Sequence, residues 1–258
     1  MSKSFWITTA TALSFLGLTP SASPAASLTQ QTEYRIAIGG LPVARAVFST
    51  RIDKTRYSIS GRVNTSGLAD LIADIRAETS VSGTYAGGAL KARNYDLTYS
   101  SGKKTRVYRV NFNGGRVVSN SISPEPVRPE GWVPVTARHL RSVLDPLSGL
   151  VFPEGKKVCP RSLPIFDGET RMDLVLAAKG TKPFKFDGYA GEAMVCSVRF
   201  VPKGGYKQGR KDIEYLKRSS EMEIWFASAG KVRLMAPVFV RIPTQIGMLT
   251  ISARKISN

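Results

Sequence analysis

Few side chains in this sequence combine the types and spacing that chemistry requires. Two cysteines stand at 159 and 196, in the segments CPRSLPIFDGETRMDL and MVCSVRF, and His139 is the only histidine. A zinc site needs further histidine or thiolate ligands at suitable spacing, which one histidine does not supply. A cysteine–histidine nucleophile would have to use His139, which sits between Arg138 and Arg141 in a pattern that reads as a solvated face. Ser142 lies one helical turn from His139, but such a pairing is commonplace and no triad is read from it. Asp167 and Asp173 could act as a carboxylate pair on a sugar; they flank a turn on the polar side of their segment and read as solvated charges. No glycine-rich loop opens a helix in the phosphate-cradling manner. The expectation is a protein that is not an enzyme, with no catalytic residue, no metal site and no cofactor.

What remains is basic. Thirty-seven Lys and Arg stand against 19 Asp and Glu, a formal charge of +18. The densest stretch, SGKKTRVYRV (101–110), sets Lys103, Lys104, Arg106 and Arg109 around Tyr108. A second, KGGYKQGRKDIEYLKR, spans 203–218. Either suits a phosphate or lipid headgroup; either also reads as a charged hairpin or an exposed loop. Lys103, Lys104, Arg106 and Arg109 are taken as the candidate ligand-binding residues.

The compartment narrows the partners. The N-terminus carries Lys3, an uncharged and mostly apolar run from Phe5 to Leu18, then small residues and prolines. That is the pattern of a secretory signal peptide over residues 1–27, cleaved after Ala25 or Ser27, and the run is too short to cross a bilayer. No later segment could span a membrane as a helix. The predicted location is the periplasm. Losing the one charge of Lys3 leaves the chain near +17. An exported basic protein rarely meets nucleic acid but faces anionic lipid and acidic polysaccharide. In an oxidising compartment two cysteines most often pair, so a Cys159–Cys196 disulfide is favoured over free thiols, catalysis or metal.

The elements that must position these residues are strands. Val43–Asp53 alternates Ala44, Ala46, Phe48, Thr50, Ile52 with Arg45, Arg51, Asp53, and the same period of two recurs around Tyr57, Leu174, Val198, Ile224, Val240 and Ile251. One dry and one wet face per strand fits an antiparallel sheet covered on a single side. Glycine corners such as YAGGAL, FNGGRV and FDGETR separate about a dozen strands, and a sheet of that number curls or closes. The fold class is all-β with minor α: a curved antiparallel sheet forming a barrel or half-barrel in one domain, 28–258. Its halves, 28–122 and 159–258, are joined by a proline-rich strap and helix over 123–158. The helix is predicted from Leu140, Leu144 and Leu147, interrupted by Pro146, and would cover one opening of the barrel. GLADLIADIRAET (67–79) reads as a short helix or a bent strand.

The motifs IGGLPVARAVFST, YSISGRVNTSGLADLI, LDPLSGLVFP, CPRSLPIFDGETRMDL, MVCSVRF, EIWFA and VRIPTQIGMLTI, in that order, resemble the uncharacterised proteobacterial envelope family known as domain of unknown function 3108. The resemblance spans nearly the whole chain after the leader and implies a periplasmic β protein without an assigned reaction. It transfers no catalytic residue; Cys159, Cys196 and the LDP and FDG corners carry over as structural landmarks. In fold style the chain resembles, more loosely, a disulfide-bearing α-proteobacterial envelope-integrity protein and the open half-barrels that carry lipoproteins between membranes. The functional expectation is a non-enzymatic cell-envelope protein that binds or chaperones a lipid or other amphiphile, its acyl part inside and its acidic head on basic residues at the rim. The competing reading is an interaction protein with a filled core that docks on anionic envelope polymers or on a protein.

Overall fold

The computed structural model describes residues 27–66, 74–86 and 89–257. The expected leader, but for Ser27, and residues 67–73 of the helix-or-strand segment lie outside the described residues; Ile75 onward is strand. The N-terminal half is a meander: β1 (Leu28–Ile38), β2 (Leu41–Ile52), β3 (Arg56–Thr65), β4 (Ile75–Ala86), β5 (Ala89–Ser101), β6 (Lys104–Asn113) and β7 (Arg116–Ser123). Two short strands follow, β8 (Trp132–Val133) and β9 (Phe152–Pro153). The C-terminal half has β10 (Arg161–Phe166), β11 (Arg171–Phe186), β12 (Tyr189–Gly204), β13 (Tyr206–Lys207), the helix α1 (Lys211–Arg218), β14 (Glu223–Ser228), β15 (Leu234–Thr244) and β16 (Gly247–Ser257).

One sheet of 14 strands holds both halves, in the order β10-β11-β12-β14-β15-β16-β1-β2-β3-β4-β5-β6-β7, with β9 on the side of β15. Every ladder in it is antiparallel, and the halves join where β1 pairs β16. β8 and β13 form a separate two-stranded sheet. Alternation fixes the faces: Ala44, Ala46, Ile52, Tyr57, Ile59, Val81, Tyr95 and Val110 are buried on the inside, and the residues between them face out.

The sheet curls but is not closed, because its edge strands β7 and β10 do not pair. The strap fills the seam. Val117 N–H bonds Leu140 C=O and Val143 N–H bonds Gly115 C=O on the β7 side; Leu144 N–H bonds Pro164 C=O and Phe166 N–H bonds Leu144 C=O on the β10 side. Each open edge, a template for unwanted pairing, is thereby covered in part within the chain.

The expected helix over 135–150 is not formed. This stretch is a run of turns and one 3-10 turn, Ser148–Leu150. Its backbone groups serve the two sheet edges instead of an i to i−4 ladder, Pro146 removes a donor, and Asp145 caps the following turn with its side chain. The three leucines are not a stripe: Leu140 and Leu147 pack on the core around Tyr95 and Val110, whereas Leu144 packs on that around Leu163 and Cys196. The α-helix among the described residues is α1, in the basic segment read as an exposed loop or hairpin. Ile213 is buried and Leu216 packs beside it on the core of the C-terminal half.

The interior is packed with side chains. One cluster joins Phe152, Val158, Leu163, Leu176, Val198, Ile224 and Phe226; a second joins Ile59, Val81, Tyr95, Val110, Phe112, Phe166 and Leu234, drawn from both halves. A third lies beneath the β11–β12 hairpin. β12 pairs β14 only over Met194–Ser197, so the rest of the hairpin swings clear. Its tip reaches β16, where Ile256 N–H bonds Asp187 C=O at 2.9 Å. Phe184 on this arm meets Trp225 and Phe239 on the outer face, with ring centroids 5.8 and 6.3 Å away. Lys182 lies 5.0 Å over the Trp225 ring.

Candidate functional site: a polar trough on the outer face

A strongly twisted sheet is saddle-shaped, so its outer face is concave along one diagonal. Across β1–β5 that concavity is a trough of about 570 Å³. It is lined by the outward set of each strand: Arg45, Val47 and Ser49 on β2, Ser60, Arg62 and Asn64 on β3, Glu78 and Ser80 on β4, Asp96 and Thr98 on β5.

Strand register arranges these residues in cross-strand rows. One runs Ser49, Ser60, Ser80, Asp96, Arg109 from β2 to β6. The next runs Val47, Arg62, Glu78, Thr98. The third sets Arg35 directly opposite Arg45, then Asn64 and Arg76. Opposed like charges destabilise a sheet. Among the described residues, no carboxylate forms an ion pair with Arg35 or Arg45. The other cations of the trough have partners: Arg62 Nε lies 3.2 Å from Glu78, Arg109 Nε 3.8 Å from Asp96, and Arg76 3.1 Å from Asp74. All three bridges are solvated, so each is weak and readily exchanged for an incoming anion. Serine, threonine and asparagine groups between the charges both donate and accept, which suits a ligand rich in hydroxyls.

The candidate residues Lys103, Lys104, Arg106 and Arg109 are not gathered into one site. Lys103 and Lys104 project from the β5–β6 turn. Arg109 faces outward beside Asp96, at the margin of the trough. Arg106 has the opposite parity and lies on the inner side with Tyr108 and Val110. It adds to the positive field around Glu169, whose carboxylate accepts from the Tyr108 hydroxyl and pairs with Arg128; Arg128 in turn stacks 4.4 Å over Trp132. Three of the six cations of the second basic stretch are paired, Arg210 with Asp212 at 2.6 Å and Lys217 with Glu214 at 3.0 Å within it, and Lys203 with Asp173 of β11 at 3.3 Å.

Cys159 and Cys196 form a disulfide with a Cα–Cα distance of 6.2 Å. The solvated-charge reading of Asp167 and Asp173 is corrected. Asp167 is half-buried and accepts the N–H groups of Glu169 and Thr170, closing a four-residue corner from 167 to 170. Burial pushes its carboxyl above the ordinary range. Asp173 pairs at 2.6 Å with the buried Arg171, whose guanidinium also donates to His139 C=O. His139 takes part here through its backbone carbonyl, and its Nδ1 accepts the Thr136 N–H at 3.4 Å. A feature missed in the sequence is Asp145 of the LDP corner, 1% exposed and without an ion pair among the described residues. Burial raises its carboxyl, which is held by the N–H groups of Leu147 and Ser148 and by the Ser148 hydroxyl. The buried Tyr57 hydroxyl lies beside Asp145 and Ser148, and burial pushes it above the ordinary phenol range.

Residues 33–254 match the family described as "Protein of unknown function (DUF3108)". The chain belongs to this family. In the solved structures, it is similar to a beta-barrel-like protein of domain of unknown function DUF1849 from Brucella abortus, at 8% identity and a TM-score of 0.49, covering 91% of this chain and 99% of that one. No curated protein matches it. Among the described residues of this DUF3108 chain, no helix is long and apolar enough to cross a membrane. No group of three or more His, Cys, Asp or Glu among them is placed to hold a metal ion.

Proposed function

We propose that the chain is a non-catalytic binding protein of the cell envelope, exported to the periplasm, that docks through its outer trough on an anionic, hydroxyl-rich polymer. The observation that carries this reading is the Arg35–Arg45 pair, two opposed guanidinium groups with no ion pair among the described residues, at the head of a trough lined by serine and asparagine. An acidic polysaccharide supplies what that surface lacks: carboxylates for the guanidinium groups, which take them bidentately, and hydroxyls for the rows between. The side chains that fill the interior favour this reading over an acyl chain held inside, and the outer trough is lined mainly by polar residues.

Polygalacturonate, with neutral dextran as control, tests it. The wild type binds polygalacturonate with an affinity that falls as salt rises. Replacing Arg35→Gln and Arg45→Gln together weakens binding about tenfold, from two charge contacts of up to ~1 kcal/mol each. Replacing the exposed Lys156 and Lys157 by Gln removes the same charge at the far end and leaves the affinity near that of the wild type. Equal losses in the two double variants, or equal binding of dextran, refute the trough.

A further inference from the structure

In a meander, alternate connections fall at opposite ends of the sheet. The β1–β2 and β15–β16 turns share one end with the β5–β6 turn that carries Lys103. The first two of these turns touch. Gly39 N–H bonds Met248 C=O at 3.0 Å, and a Cβ on Gly247 would lie 3.4 Å from Gly39 N. Together they form one ridge, and its crest is apolar: Leu41 is 73% exposed and Ile246 is 78% exposed. Behind them Ile38 pairs with Leu249.

Single exposed aliphatics are ordinary. Two on adjoining hairpin tips, above strands of one charge sign, are a different matter. β2, β15 and β16 contain no acidic residue, and β1 contains only Glu33. The same four strands carry Arg35, Arg45 and Arg241 in the half nearest the ridge, all on the outer face. From Leu41 to Arg45 is four residues of strand, roughly 13 Å, and an arginine leaning back toward the ridge covers about half of it, which brings its head to the polar boundary behind the crest.

We propose that this ridge docks on an anionic lipid bilayer, with Leu41 and Ile246 entering the acyl boundary and the neighbouring arginines and Lys103 meeting lipid phosphates. A surface of this kind takes two forces at once, apolar insertion and attraction to the negative leaflet, and neither alone suffices for stable attachment. The ridge adjoins the head of the trough, and Arg35 and Arg45 serve both, so the chain touches lipid with one end and polymer with one flank.

The test uses the full mature chain and vesicles of phosphatidylcholine with and without phosphatidylglycerol, read by flotation. The wild type floats with the anionic vesicles and not with the neutral ones, and high salt weakens the attachment. Leu41→Ser with Ile246→Ser lowers the partition coefficient about tenfold per side chain, while its circular dichroism and its affinity for polygalacturonate stay at wild-type values. A fluorescent probe on Leu41→Cys shifts to the blue on anionic vesicles. Wild-type protein that ignores the anionic vesicles, or binds neutral ones as well, overturns the proposal. So does a double serine variant that floats like the wild type. The serine variant separates the two readings, because it loses the vesicles and keeps polygalacturonate, whereas Arg35→Gln with Arg45→Gln weakens both.

Discussion

Reducing the Cys159–Cys196 bridge should cost this fold a large and calculable part of its stability. The bridge closes a loop of 37 residues, from the end of the strap to the middle of β12, and both half-cystines are buried in the core of the C-terminal half. In the chain-entropy treatment, a loop of that length gives roughly 13 cal/mol/K, or about 4 kcal/mol at room temperature. For a domain of this size each kcal/mol moves the melting temperature by about 2–4 °C, so reduction should lower it by about 8–15 °C. The assay is thermal unfolding by circular dichroism with and without reductant, each sample checked by thiol titration in denaturant. Cys159→Ala with Cys196→Ala should melt at or below the reduced wild type, because two buried side chains are also shortened. The bridge also pins the strap beside β10, where Leu144 bonds both Pro164 and Phe166. Seam opening should therefore accompany its loss, seen as faster amide exchange at Val143 and Leu144. A drop under about 3 °C, with two thiols titrated in the reduced sample, would refute the reasoning. Two thiols titrated without reductant would do the same.

Asp145 predicts a pH effect of known sign. Burial raises its folded-state carboxyl above the ordinary 3.8. Its contribution is therefore full at acid pH and lost as pH rises through the folded value. The stability of the wild type relative to Asp145→Asn should improve as pH falls from 7 toward 4, and a flat or opposite difference in denaturant midpoints disproves the assignment. Gly205 has φ +82°, and a Cβ there would lie 1.9 Å from the Glu169 carbonyl oxygen, whereas Gly102 at φ +55° has open space around it. Gly102→Ala should cost about 1–2 kcal/mol from the left-handed backbone alone, and Gly205→Ala clearly more, so equal melting temperatures for the two variants count against the crowding assigned to position 205.

The sheet was legible where burial is one-sided. In β2 the even residues Ala44, Ala46 and Ile52 are buried and Arg45 and Arg51 exposed, as a strict period of two requires. The curl of a many-stranded antiparallel sheet follows from the same count. The strap misled because its leucines mimic a helical stripe while serving two cores on either side of the seam, a partition set by contacts distant in sequence. α1 hid for the opposite reason. Its buried face is only Ile213 and Leu216, too narrow to stand out among five charged neighbours, although Asp212 and Glu214 in its first turn and Lys217 and Arg218 in its last suit the helix dipole. The trough could not be read from any one strand. Arg35, Arg45 and Arg76 come from three hairpin arms, and only register brings them into one row.

The β1–β16 ladder has a consequence for how the chain is made. Residues 31–38, synthesised well before residues 249–257, find their second neighbour only there. Until the last strand arrives, β1 offers a bare row of amides and carbonyls, without proline and with few charges, on a sheet whose other strands can already zip in sequence. The closing strand of a second copy is chemically identical to the proper one. Crowding many half-finished copies together therefore favours exchange of β16 between them.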